Sequence, residues 1–170
     1  MDLKQQLLKE HSKANAVRVA DWIGTDAGRF DHLMQLFLHG EYREVQRAAQ
    51  IISFVGDRHP ALLAPHMTAM VQQMQQPEQP VAVKRNVVRV LQHLDIPETL
   101  HGDVMNACFN LLADVKETIA VRAFSMTVLA RLATCYPDIK PELRALIEDG
   151  LEQDPSPGFK SRAQKVLAGL

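Results

Sequence analysis

The chain has 170 residues, 46% of them hydrophobic and 23% charged, a length and balance that suit one soluble, packed domain. Aromatic residues make up only 5%, so the core has to be built from Leu, Val, Ala, Met and Ile, which suits close helix packing better than a β-sandwich or barrel. A formal net charge of −1 offers no gross imbalance toward nucleic acid or an anionic membrane, and the opening MDLKQQLLKE lacks the run of roughly seven apolar residues that a secretory signal needs.

Asp2 to Glu10 forms a short amphipathic helix with Leu3, Leu7 and Leu8 on one side, and Ser12 or Asn15 is suited to cap the helix that follows, Lys13 to Ile23, closed by Gly24. From Asp26 a helix carries Phe30, Leu33, Met34, Phe37 and Leu38 to Gly40, and Glu41 to Val55 forms the next, closed by Gly56. Two breaks then resemble each other, His59-Pro60 with Pro65 and Tyr136-Pro137 with Pro141. In both, the first proline stops the incoming helix and the second takes an early position in the outgoing one, where its missing N–H costs little. The helix after Pro65 runs to about Gln76 and stops before Pro77 and Pro80. Its Met67, Met70 and Met74, interleaved with glutamines, read as core. Val81 to Leu94, a stop at Pro97, Glu98 to Ala113, Thr118 to Ala133 and Pro141 to Gln153 follow. Pro155 and Pro157 precede a short last helix, Lys160 to Leu167, expected as a half-formed cap. The result is ten helices in five pairs, with no strand and no linker long enough to divide residues 1–170.

Thr118 to Leu132, TIAVRAFSMTVLARL, sets the pattern. As a helix it puts Val121, Phe124, Val128 and Leu132 on one stripe and Ile119, Ala123, Met126 and Ala130 on a second, so it must be covered from two sides. Comparable stretches recur: Arg47 in VQRAAQII, Arg85 in VKRNVVRVL, Arg122 in AVRAFSMTVL and Arg162 in KSRAQKVL lie 38, 37 and 40 residues apart, and Arg18 in AVRVADWI stands 29 before Arg47. Each is followed by a proline or glycine break and another apolar-periodic segment, so the unit is helix, turn, helix. With this period and this arginine-bearing second helix, the chain resembles the HEAT and armadillo-like helical repeats along essentially its whole length. The ~34-residue tetratricopeptide period fits less well, and its tryptophan-leucine-glycine signature is absent. The resemblance implies an all-α, right-handed α–α superhelix of about five hairpins, with the second helices lining its concave side and the recurring arginines tying neighbouring turns together.

Dividing the charge by helix type is informative. Residues 13–24, 42–57, 81–95, 118–135 and 158–170 hold twelve basic and four acidic residues, a net of +8, which leaves −9 for the remainder. With the resemblance, this implies a basic inner surface able to attract an acidic protein segment or a phosphate backbone. Arg47, Arg85, Arg122 and Arg162 are expected in the structural ladder, with Glu41, Glu78, Glu117 and Asp154 as partners, because a partly buried arginine must be paired. Arg43, Lys84, Arg89, Arg131, Lys160 and Lys165 are the freer cations and the candidate binding residues.

No enzyme motif is present. The glycines stand singly at predicted helix ends, so there is no nucleophile elbow and no phosphate-cradling loop. The histidines His11, His32, His39, His59, His66, His93 and His101 form no His-x-x-x-His pair and none adjoins a cysteine at ligand spacing, so neither a metal nor another cofactor is expected. The His-Glu dipeptides of HEAT-like hydroxylases are missing as well. Helical-repeat DNA glycosylases, which use tryptophans and an aspartate at a basic groove wall, are the enzyme comparison that remains. Here the single Trp22, beside Asp21, is expected in the core. Cys108 and Cys135 are too few for a disulfide framework and imply a reduced, cytoplasmic setting. The expected function is non-enzymatic binding or scaffolding of an acidic protein or peptide, away from membranes. The alternative is nucleic-acid binding in the same groove, and self-association through open repeat ends is a further possibility.

Overall fold

The computed structural model describes residues 1–153 and 156–170, and its described residues form ten α-helices and no strand. They divide into two compact units, Met1–Val90 and Leu91–Leu170.

In the first unit, α1 (Leu3–Lys9), α2 (Lys13–Ile23), α3 (Ala27–His39), α4 (Tyr42–Arg58), α5 (Met67–Met74) and α6 (Val81–Leu91, its last residue counted with the second unit) follow one another through short turns. Helix starts are set by side-chain acceptors: Asp2, Ser12 and Asp26 each accept from the backbone N–H three residues on, satisfying donors the helix leaves open. Ser12 is therefore the cap of α2, and Asn15 has a different task. Buried within the helix, Asn15 donates from Nδ2 to Gln6 O at 2.8 Å and Glu10 O at 3.1 Å, pinning the end of α1. Gly24 closes α2 with φ +52°, a backbone that side chains disfavour. The core is mostly aliphatic, with Val19, Leu33, Ala48, Ile52 and Val55 around the buried rings of Phe30 and Phe37, and α4 packs against α1, α2 and α3. The methionines Met67, Met70 and Met74 are buried, and Gln73 among them donates to Phe37 O at 3.0 Å, fastening α5 to α3.

Gly56 does not end its helix. α4 runs on to Arg58, and Gly56 lies inside because a Cβ there would come within 2.9 Å of Leu63 Cδ2 and 3.1 Å of Val90 Cγ1. His59, at φ −133° and ψ 60°, makes the stop before Pro60, since the residue preceding proline is pushed out of the helical region. The chain then descends through short 3-10 turns, Pro60–Leu62 and Ala64–His66, so α5 begins two residues after Pro65.

In the second unit, α7 (His101–Ala113), α8 (Ile119–Cys135), α9 (Lys140–Gln153) and α10 (Pro157–Gly169) pack around α8, which touches each of the other three. Leu112, Val121, Met126, Val128, Leu129, Leu132, Leu143, Ile147 and Phe159 form its core. The two-sided cover expected for this helix is present, although Ile119 is exposed and Phe124 and Ala130 are half-buried. Tyr136, at φ −127° and ψ 75°, repeats the corner of His59, and Pro137–Ile139 is again a 3-10 turn. The last helix is no half-formed cap. It spans 13 residues from Pro157, whose fixed φ and missing N–H fit the first helical position, with Ser156 accepting from Phe159 N. Pro155 and Asp154 lie outside the described residues.

Candidate binding clefts on the second helices

Each unit has an open cleft between its arginine-bearing helices. In the first, about 500 Å³ is lined by His11 and Lys13 at the start of α2, Gln46, Gln50, Ser53 and Phe54 on α4, and Val81, Ala82, Arg85, Asn86 and Arg89 on α6. In the second, about 460 Å³ is lined chiefly by Thr127, Ala130, Arg131 and Thr134 on α8 and Arg162, Lys165, Val166 and Gly169 on α10, with Gln92, Lys140 and Leu170. Neither lining includes an Asp or Glu.

The arginines of these helices reach backward along the chain. Arg47 Nη1 donates to Leu7 O at 2.7 Å and Arg131 Nη1 to Leu91 O at 2.6 Å, each 40 residues earlier. Arg162 Nη1 donates to Ala123 O, 39 residues earlier, and more closely to Thr127 Oγ1 at 2.8 Å and Gln92 Oε1 at 2.6 Å. Arg89 forms a fork with Asp57, at 2.8 and 3.2 Å, and also reaches Ser53 O, 36 residues back. Arg122 bonds within its own hairpin and stacks on a residue of α10. Its Nε donates to Leu112 O at 3.1 Å, and its guanidinium lies 4.6 Å over the ring of the buried Phe159.

A family model described as HEAT repeat domain matches residues 3–170. The chain belongs to the HEAT repeat family. No curated protein and no solved structure matches it.

With the HEAT register in hand, the cations sort differently from their order in the sequence. Arg85 is exposed and makes no hydrogen bond or ion pair with a described residue, while Arg89, one turn later on the same face of α6, takes the cross-repeat contact. Arg89 and Arg131 are therefore tethered rather than free. Arg43, Lys160 and Lys165 are exposed and without a described partner, whereas Lys84 is half-buried and engaged. Of the six candidate binding residues, Arg89 lines the first cleft, Arg131 and Lys165 line the second, and Arg43, Lys84 and Lys160 line neither. Trp22 is half-buried at the surface, not in the core. Arg29 stacks 4.4 Å from its ring, and neighbouring Asp21 is exposed and ion-paired with Arg58.

One polar centre went unrecognised in the sequence. Glu44, buried in the first turn of α4, accepts from Glu41 N at 2.9 Å and from Lys4 Nζ at 2.7 Å, while the Glu41 side chain completes a capping box. Lys4 and that backbone N–H together hold the Glu44 carboxyl below its ordinary 4.5, against the opposing effect of burial. The spacing Glu41-x-x-Glu44 carried the signal, with glutamate in place of the usual Ser or Thr. Among the described residues no group of three or more His, Cys, Asp or Glu could hold a metal ion, and no helix is long and apolar enough to cross a membrane.

Proposed function

We propose that this HEAT protein is a non-enzymatic scaffold whose second helices hold an acidic segment of a partner protein. One observation carries this: the clefts of both units combine basic, amide, hydroxyl and apolar side chains and include no Asp or Glu, in a chain whose net charge is −1. A lining of one sign raises the local concentration of the opposite charge and speeds its capture. The recurring tethers support the same role, since they immobilise the cationic surface before a ligand arrives and reduce the entropy lost on binding.

The test is a fluorescence-anisotropy titration with a short labelled Glu-rich peptide and, separately, with duplex DNA, at about 50 and about 200 mM salt. The peptide is expected to bind and to weaken on combined reversal of the exposed, cleft-lining Lys13, Arg85 and Lys165 to Glu. Tighter binding of the duplex, falling steeply with salt, would transfer the face to nucleic acid, and binding of neither probe would end the proposal.

A further inference from the structure

The second-unit cleft has a property that net charge does not capture. Arg131 and Arg162 are both fixed through the same nitrogen, Nη1: Arg131 to Leu91 O, and Arg162 to Gln92 Oε1, Thr127 Oγ1 and Ala123 O. The opposite edge of a guanidinium presents Nε–H and one Nη2–H in parallel, at the separation of the two oxygens of a carboxylate. In both arginines this edge makes no hydrogen bond with a described residue, and both side chains line the cleft. Each is a fork already held in place.

Their spacing suggests the ligand. α8 and α10 run in the same direction, because a Cβ on Gly158 would lie 3.4 Å from Ile119 Cγ2 while Arg162 reaches Ala123 and Thr127. Arg162 is thus anchored at Thr127, one turn before Arg131, about 6 Å along the helix axis. In an extended peptide, alternate residues point the same way and lie about 6.7 Å apart. Farther along the same direction the lining holds the apolar Val166, Gly169 and Leu170 together with Thr134 and Lys140, and Lys165 stands at the edge, exposed and unpaired with any described residue.

We propose that this cleft binds an extended peptide in which carboxylates two residues apart occupy the forks of Arg162 and Arg131 and an aliphatic side chain two residues farther on rests against Val166 and Leu170. The proposal rests on the acidic-partner reading above and narrows it to one cleft and one pattern. A protein segment suits this lining better than a nucleic acid strand, because the lining includes no aromatic ring on which bases could stack and its apolar residues match an aliphatic side chain.

The probe is a labelled peptide containing Leu-Ser-Glu-Ser-Glu-Ser-Leu, which reads the same in either chain direction, titrated by anisotropy against the full chain. Replacing both Glu by Gln is expected to weaken binding on the order of 100-fold, through loss of two charge-assisted forks. Replacing both Leu by Gly should weaken it about tenfold. Arg131→Gln and Arg162→Gln should each remove most of the affinity, and Lys165→Glu, at an exposed position that disturbs no packing, should weaken it about tenfold. Equal binding of the Gln peptide would overturn the proposal. Indifference to Lys165→Glu together with loss on Lys13→Glu would move the site to the first-unit cleft, overturning this inference while leaving the acidic-partner function standing. Oligothymidine binding more tightly than any peptide would overturn both.

Discussion

Gly150 is required by what lies against it. A Cβ at that position would collide with Phe159 Cζ and come within 3.2 Å of Arg122 Nη2, so the ring and the guanidinium stacked on it occupy the space a side chain would take. Gly150→Ala is expected to cost about 1–3 kcal/mol through overpacking, a fall in Tm of a few degrees for a chain of this size, measured by thermal or urea unfolding. The two cysteines give a second residue-by-residue test. Burial raises the Cys108 thiol to about 12, only partly offset by its contact with Ser125, whereas Cys135 is exposed. Since the thiolate is the reactive form, a colorimetric thiol reagent should modify one cysteine in the native protein and two in denaturant, with Cys135→Ser abolishing the native signal.

The helices themselves were largely legible because their punctuation is chemical. Ser12, Asp26 and Thr118 cap, prolines stop, and apolar residues recur with helical period, so α2, α3 and α8 lie within two residues of their expected bounds. Gly56 misled because a glycine demanded by close packing looks the same in sequence as one that ends a helix. The link between α1 and α4 was not legible, for Lys4 and Glu44 are 40 positions apart and only folding brings them to 2.7 Å. This link has a pH signature. Glu44 titrates below its ordinary 4.5 in the folded chain, so its contribution is fully present above that value and is lost as pH falls through the lowered one. Lys4, raised above 10.5 mainly by the hydrogen bond to Glu44, contributes below 10.5 and loses its contribution as pH rises through the raised value. Urea midpoints measured from pH 7 down to pH 3 should fall more steeply for the natural chain than for Glu44→Gln, which starts lower and titrates less.

The arginine period conveyed the architecture more surely than it conveyed the roles of its members. A repeat unit of 37 to 40 residues fixes which helices are equivalent, but a shift of one turn decides whether a given arginine faces a carbonyl or solvent, as Arg85 and Arg89 demonstrate on α6. Nor could composition reveal that Arg131 and Arg162 each direct their hydrogen bonds to described residues through Nη1, since that depends on where Leu91 O and Gln92 come to rest. The same tethers predict how the protein comes apart. Those of Arg47, Arg89, Arg131 and Arg162 span 36 to 40 residues at the carbonyls they reach, about one repeat, so stability is shared between neighbours and is not pooled across the chain. Hydrogen exchange of Gly150→Ala should therefore rise in α8, α9 and α10 while α2, α3 and α4 keep their protection, because opening in a repeat array is local before it is global. A uniform rise over all helices, with α2 exchanging as much faster as α9, would mean the whole chain opens as one unit and that a repeat-by-repeat account of its stability is wrong.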